Sequence, residues 1–312
     1  MSENTQNPTK HPSTSSATSD RPARPPWAVK RLRFTPELHE IKRILRSHNL
    51  RTVCEDARCP NISECFERRE ATFIILGEHC TRSCAFCAIP TGRGLPPDPD
   101  EPRRLALAAR EIGLNHIVVT SVARDDLPDE GAGHFSAVVG AIRSLSPATT
   151  VEILTPDFHA RDDCLATIAE TDIAIFNHNL ETVPSLYAEI RPQGKVDRSL
   201  EVLEKMKALR PDVATKSGFM LGLGESDEEV LDLMRSMRLA KVDILTIGQY
   251  MRPQKSNAQV NNYSGLERFE MLDAAGRAMG FPLVLSGPYV RSSFGAAEAK
   301  RALEALAVET VL

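Results

Sequence analysis

Three cysteines fall within eight residues in Cys80-Thr81-Arg82-Ser83-Cys84-Ala85-Phe86-Cys87, a CxxxCxxC run placed directly after the apolar segment 71–77. Three thiolates at that spacing can hold three corners of a four-iron cluster and leave the fourth iron open to a small molecule. Zinc is the competing reading. Structural zinc prefers four closed ligands, commonly as CxxC pairs, and here His79 would have to bend back onto the metal held by its neighbour Cys80. A second run lies just upstream, Cys54, Cys59 and Cys65 in a CxxxxCxxxxxC pattern. Buried single cysteines carry no spacing rule, so a second triad this close to the first is expected to bind metal. A zinc loop or a disulfide is its alternative. Three ligands again leave one corner unassigned.

These thiols need a scaffold. From Ala71 onward, short apolar runs alternate with helical patterns, the signature of repeated βα units and a parallel sheet. Strands are expected over 72–76, 116–121, 151–154, 173–177, 214–221 and 244–249, with helices over 101–112, 133–145, 159–170, 196–209 and 225–240. In 196–209, Leu200, Leu203 and Met206 mark one apolar face, with Glu201, Glu204 and Lys205 outside it. Six strands suit a partial barrel or an open doubly wound sheet, which periodicity does not separate. In both, ligands gather at the carboxyl ends of the strands. The polar stretches 120–128, 177–182, 215–218 with 221–225, and 249–253 are therefore expected to share a site, although each alone could be a capping turn. Gly222-Leu223-Gly224 by itself is a weak signal.

Composition narrows the class. A chain of 312 residues can bury a full core. Lys plus Arg is 38 against 42 Asp plus Glu, a balance that argues against an obligatory nucleic-acid partner. No run of 18 apolar residues exists to span a membrane. Residues 1–26 are rich in Ser, Thr, Pro and Asn, lack the apolar core of a secretory signal, and are expected to be a disordered tail. A cytoplasmic protein is expected, and six of its seven cysteines, packed between 54 and 87, read as metal ligands rather than disulfides. Cys164, near Leu165 and Ile168, is expected to be a buried apolar residue of a helix. Over 36–50, Leu38, Ile41, Ile44 and Leu45 predict an amphipathic packing helix.

CxxxCxxC with an aromatic before the last cysteine, here Phe86, resembles the radical S-adenosylmethionine enzymes. With both triads and the tail Ser286-Gly287-Pro288-Tyr289-Val290-Arg291-Ser292-Ser293-Phe294 in view, the chain resembles the lipoyl synthase family from about Trp27 to Phe294. The discriminating stretches are Val53 to Asn61, the CxxxCxxC loop, Arg124 to Asp129, Thr215 to Gly218 and Arg291 to Phe294. Glu78-His79 and Gln193 depart from the familiar pattern without touching a ligand position.

The resemblance implies a partial (β/α)6 TIM-type barrel over 71–285, preceded by an N-terminal cluster-binding extension over 27–70 and followed by a C-terminal RSS tail and helix over 286–312. It implies two 4Fe-4S clusters and S-adenosylmethionine. Cys80, Cys84 and Cys87 would hold the cluster that cleaves the cofactor to methionine and a 5′-deoxyadenosyl radical. Cys54, Cys59 and Cys65 would hold an auxiliary cluster, its fourth corner filled by Ser293 in preference to Ser292. Ser121, Asn177, Glu181 and Lys216 are implied as cofactor contacts, while Arg124, Asp125 and Arg252 would meet substrate, position the carrier lysine or brace the mouth. The implied reaction is insertion of two sulfur atoms, drawn from the auxiliary cluster, at C6 and C8 of an octanoyl chain on a lysine. Its implied partners are octanoylated lipoyl domains of 2-oxoacid dehydrogenase E2 subunits, the glycine cleavage H protein, a ferredoxin or flavodoxin, and an iron–sulfur carrier protein. Rival readings are a sulfur-inserting enzyme of the biotin synthase or methylthiotransferase type, which would place its auxiliary ligands elsewhere, and a non-catalytic iron–sulfur protein, which would need neither the βα scaffold nor an open iron.

Overall fold

The computed structural model describes residues 22 and 24–293, so most of the tail expected over 1–26, and the expected C-terminal helix with Phe294, lie outside the described residues. The chain enters through α1 (Pro36–Ser47), where Thr35 caps the first turn by accepting from the Leu38 amide at 3.2 Å. Leu38, Ile41, Ile44 and Leu45 are buried on one helical face, as their spacing predicts. Next come β1 (Arg51–Thr52) and the short helices α2 (Val53–Asp56) and α3 (Ile62–Glu67).

Then βα units repeat. In chain order they are β2 (Thr72–Ile75), α4 (Glu101–Ile112), β3 (His116–Ser121), α5 (Ala132–Leu145), β4 (Thr150–Leu154), α6 (Asp162–Ala169), β5 (Ile175–Asn177), α7 (Tyr187–Ile190), α8 (Val196–Leu209), β6 (Ala214–Leu221), α9 (Asp227–Leu239), β7 (Ile244–Gln249), α10 (Leu266–Ala278) and β8 (Leu283–Ser286). All six expected strands are present. Strand order is sequential from β1 to β8, every pairing from β2 onward is parallel, and β1 is antiparallel to β2. Sequential order without a reversal separates the two architectures that periodicity left open: a doubly wound sheet would turn back on itself, and this one winds in a single direction as a partial barrel does.

Two parallel-sheet features exceed the sequence expectation. β8 adds a seventh parallel strand, too short at four residues to show a period. α10 buries only Phe269, Leu272 and Gly276, a stripe too thin to mark a helix. Inside the sheet, Ile175, Ile244 and Leu283 form an apolar plug, while the main core lies between the strands and the outer helices. Cys164 is buried in α6 beside Leu165 and Ile168. No helix among the described residues is long and apolar enough to cross a membrane.

Candidate active site

The CxxxCxxC loop leaves β2 and is strapped to four other parts of the chain. Thr81 donates its amide to the Ala123 carbonyl at 3.0 Å, beyond β3. Ala85 donates to Ile190 of α7 at 2.9 Å, and Ala258, beyond β7, donates back to Ala85 at 2.8 Å. Asn257 Nδ2 donates to the Cys87 carbonyl at 2.6 Å. Arg82, inside the loop, reaches Asp125 at 2.7 Å and the fully buried Asp157 at 2.6 Å. Amides of Arg82 and Ala123 point at Cys80 Sγ from 3.4 and 3.3 Å, donors suited to a thiolate.

The second triad is built from two short helices. Cys54 lies in α2, capped by Thr52, and Cys65 in α3, with Cys59 in the turn between them. Asn61 ties this turn to the tail: its Nδ2 donates to the Tyr289 carbonyl at 2.8 Å and its Oδ1 accepts from Lys30 at 3.0 Å. A small cavity is lined by Cys54, Cys59, Cys65, Arg291 and Ser293, together with His116 at the start of β3. Ser292 does not line it and faces the larger cavity instead.

That larger cavity, about 850 Å³, is lined by Cys80, Cys84 and Cys87, by Cys54 and Cys59, and by Ser293. Its size suits a small-molecule site. All seven cysteines are free thiols. Burial pushes Cys84 up to about 12 and Cys87 to about 11; burial and the neighbouring Cys59 push Cys65 up to about 12 and raise Cys54 as well. Thiols this reluctant to ionise gain a stable anionic form only when a cation joins them, so metal uptake here releases protons.

Among the described residues, the set of three His, Cys, Asp or Glu ligand atoms drawn within 4.8 Å of one another is Asp125, Glu130 and His159, and neither cysteine triad is drawn in so tightly. Within this set Asp125 is already engaged by Arg82 and Thr81, and Glu130 pairs with His159 inside the set itself.

The four implied cofactor contacts divide. Ser121 and Glu181 line the large cavity; Asn177 and Lys216 do not. Lys216 is fully buried with its Nζ 3.0 and 3.1 Å from the two Glu152 carboxylate oxygens, and Asn177 Nδ2 donates to the same carboxylate at 2.9 Å. Burial raises the Glu181 carboxyl, against the opposing pull of Arg191. Several residues lining this cavity at strand ends carry buried polar atoms without a partner among the described residues: Ser121 Oγ, Thr155 Oγ1, Asn179 Oδ1 and Arg252 Nε. Unsatisfied donors and acceptors gathered at one place fit a polar, zwitterionic ligand such as S-adenosylmethionine.

Arg124 and Asp125 are braces. Arg124 is 1% exposed and forks onto Asp126 at 2.8 and 3.0 Å, while its Nη1 donates to the Leu76 carbonyl at 3.1 Å. Arg252 differs, lining the cavity without a carboxylate partner among the described residues. The glycine turn after β6 holds no ligand either. Amides of Gly222, Leu223 and Gly224 converge at 2.8, 2.9 and 3.1 Å on the carboxylate of Glu225, which Arg268 also contacts at 3.1 Å. The positive φ of Gly222 (96°) and Gly224 (123°) permits this cradle. Sequence reasoning missed Arg191, which lines the cavity and donates to the Asn179 carbonyl at 2.9 Å; its Arg-Pro-Gln-Gly context signalled only a turn.

Residues 74–237 match the Radical SAM superfamily. Methylornithine synthase, over 88% of this chain and 92% of its own, superposes with a TM-score of 0.52 at 14% identity. SuiB from Streptococcus suis, in its crystal structure with S-adenosylmethionine, gives 0.54 over 81% of this chain and 56% of its own, at 13% identity. At such identities these likenesses concern the fold. Sequence relatives go further. The lipoyl synthase of Rubrobacter xylanophilus is 51% identical over 278 residues, 89% of this chain and 87% of its own. That of Caldanaerobacter subterraneus subsp. tengcongensis is 46% identical over 273 residues, 88% of this chain and 95% of its own. Identity at this level over nearly nine-tenths of the chain places it in the lipoyl synthase family.

Proposed function

We propose that this enzyme inserts sulfur at C6 and C8 of an octanoyl chain amide-linked to a carrier-protein lysine, with Cys80, Cys84 and Cys87 holding one 4Fe-4S cluster and Cys54, Cys59, Cys65 and Ser293 holding the other. The observation that carries this reading is that members of both triads open onto one cavity. When bound, one cluster with S-adenosylmethionine supplies hydrogen abstraction from unactivated carbon, and the other supplies sulfur.

The chain's own groups arrange that meeting. Straps from Ala123, Ile190, Asn257 and Ala258 hold the CxxxCxxC loop at one side of the cavity. Ser121 Oγ and Asn179 Oδ1 offer hydrogen bonds to the cofactor's polar groups, and Glu181 its carboxylate. Asn177 and Lys216 support from behind, by fixing Glu152. Ser293, which lines the same small cavity as Cys54, Cys59 and Cys65, would offer an oxygen, a harder and weaker iron ligand than thiolate, suited to letting go as sulfur is withdrawn. Ala88, Ile89, Val122, Leu154, Met220 and Met251 give the cavity an apolar lining for the acyl chain.

Substrates in this reading are octanoylated lipoyl domains of 2-oxoacid dehydrogenase E2 subunits and the glycine cleavage H protein. A ferredoxin or flavodoxin supplies electrons, an iron–sulfur carrier protein is a further partner, and the setting is the cytoplasm. The test is anaerobic incubation of reconstituted enzyme with reductant, S-adenosylmethionine and an octanoyl-lysyl peptide, followed by mass spectrometry. Gain of two sulfurs with 5′-deoxyadenosine formation is expected; cofactor cleavage with an unchanged peptide would overturn the substrate assignment.

A further inference from the structure

Residues 24–35 read Arg-Pro-Pro-Trp-Ala-Val-Lys-Arg-Leu-Arg-Phe-Thr, four cations and no anion, in a chain whose net charge is -4. The segment is pinned across the molecule. Trp27 packs edge-on against Tyr263, Tyr289 donates its hydroxyl to the Trp27 carbonyl, and the Arg33 amide donates to Ser63 Oγ at 3.0 Å. The segment forms one wall of the large cavity through Arg24, Ala28, Val29, Lys30 and Leu32. Val29 is 57% and Leu32 46% exposed, so the cavity reaches solvent beside them.

Part of this wall has no ionic partner inside the fold, although Phe34 lies stacked on His39 at 6.3 Å between ring centroids. Lys30 and Arg33 turn to Glu64 and Glu67 of α3, but Arg24 and Arg31 have no carboxylate partner among the described residues. Phe34 is 74% exposed. An apolar stripe interleaved with unpaired cations, pinned rigidly at the rim of a reaction cavity, is a recognition surface rather than a solvated edge. A chain tethered to a protein lysine can enter this cavity only when the surface bearing that lysine lies against the rim.

We propose that residues 24–34 dock the carrier protein, and that the carrier face they receive is acidic around an apolar patch. The proposal rests on the carrier reading of the function and adds the place and chemistry of the contact. Arg31 and Phe34 are the discriminating residues, because both are exposed and neither lines the cavity.

The test uses holoenzyme, with Arg31→Glu combined with Phe34→Ser. Binding of an octanoylated lipoyl carrier domain is measured by titration calorimetry at low and high salt, and sulfur insertion is followed on that domain and on a free octanoyl-lysyl peptide. The expected result is a Kd for the domain weakened about tenfold, with wild-type affinity itself falling as salt screens the contact. Peptide turnover and cofactor cleavage stay at wild-type values, which also shows that the variant is folded. Unchanged domain binding overturns the proposal, as does equal loss of domain and peptide turnover, which would make these residues part of the reaction site. Binding to vesicles containing phosphatidylglycerol that depends on Arg31, without a change at the domain, would assign the surface to lipid and overturn it too. Failure of wild type to convert the peptide would sink the reaction, and is read separately from domain binding.

Discussion

Arg82 lies between Cys80 and Cys84 in sequence, and its guanidinium meets the fully buried carboxylate of Asp157, beyond β4, at 2.6 Å. Burial alone would raise that carboxyl, yet Arg82 beside it holds it well below the usual carboxylate range, with Arg198 adding a contact at 2.8 Å. The CxxxCxxC loop is thereby locked to the barrel seventy-five residues downstream. Asp157→Asn leaves Arg82 with Asp125 and one weakened partner, a loss of about 1.5–3 kcal/mol, the range of a hydrogen bond between charged groups. Thermal unfolding of the variant should shift accordingly, and iron bound at the CxxxCxxC loop should fall while the auxiliary triad still loads.

The glycine turn after β6 makes a second prediction. Because three backbone amides are saturated by Glu225, the turn is structural. Glu225→Gln should destabilise the fold by about 2–3 kcal/mol, the range of a lost charge-assisted hydrogen bond with buried partners. The dissociation constant for S-adenosylmethionine should stay within about twofold of wild type. A large loss of cofactor affinity without loss of stability would place the cofactor in the turn after all.

Gly248 in β7 leaves no room for a side chain: a Cβ there would lie 2.2 Å from the Val290 carbonyl oxygen. The strand is the bed on which the tail bearing Arg291 and Ser293 rests, joined by Gly287 N–H to Ile247 at 3.0 Å. Gly248→Ala should push the tail off and cost the auxiliary site its serine. Iron counts should drop from about eight per chain toward about four, the content of one cluster. Retention of both clusters would show that the tail is dispensable for loading.

His178 supplies a pH dependence. Burial, with Arg191 nearby, lowers it to about 4 from the ordinary 6.5. It is held neutral between the Thr155 carbonyl at 2.8 Å and Ser199 Oγ at 3.0 Å. A base depressed in the fold has its full stability above its unfolded value and loses it as pH falls toward the folded one. Between pH 7 and pH 5 the metal-free protein should lose about 2 kcal/mol through this residue, at 1.36 kcal/mol per unit. Denaturant titrations of wild type and His178→Gln at both pH values measure it; an equal fall in the two proteins would exclude His178 as the source.

How much of this was legible beforehand depended on the range of the interaction. Cysteine spacing and the apolar faces of α1 and α8 are local signals, and they located the triads and the outer helices. Lys216 shows the limit. In sequence it belongs to a polar cluster at a strand end, yet its partner Glu152 lies sixty-four residues away on β4, and that partner lets a charge sit inside the barrel instead of in the cavity. Arg82 with Asp157, Asn61 with Tyr289 and Gly248 with Val290 are likewise contacts that only the folded chain creates. Glu225 was a missed local signal, because a carboxylate directly after Gly-Leu-Gly can close the turn on itself.

The central claim, that the two triads hold two clusters with different tasks, is tested most directly by Cys54→Ala. Reconstituted variant is given S-adenosylmethionine, reductant and the octanoyl-lysyl peptide, while iron content and both products are measured. The account predicts about four irons in place of about eight, continued formation of 5′-deoxyadenosine, and no sulfur on the peptide. Peptide carrying two sulfurs from this variant would contradict it.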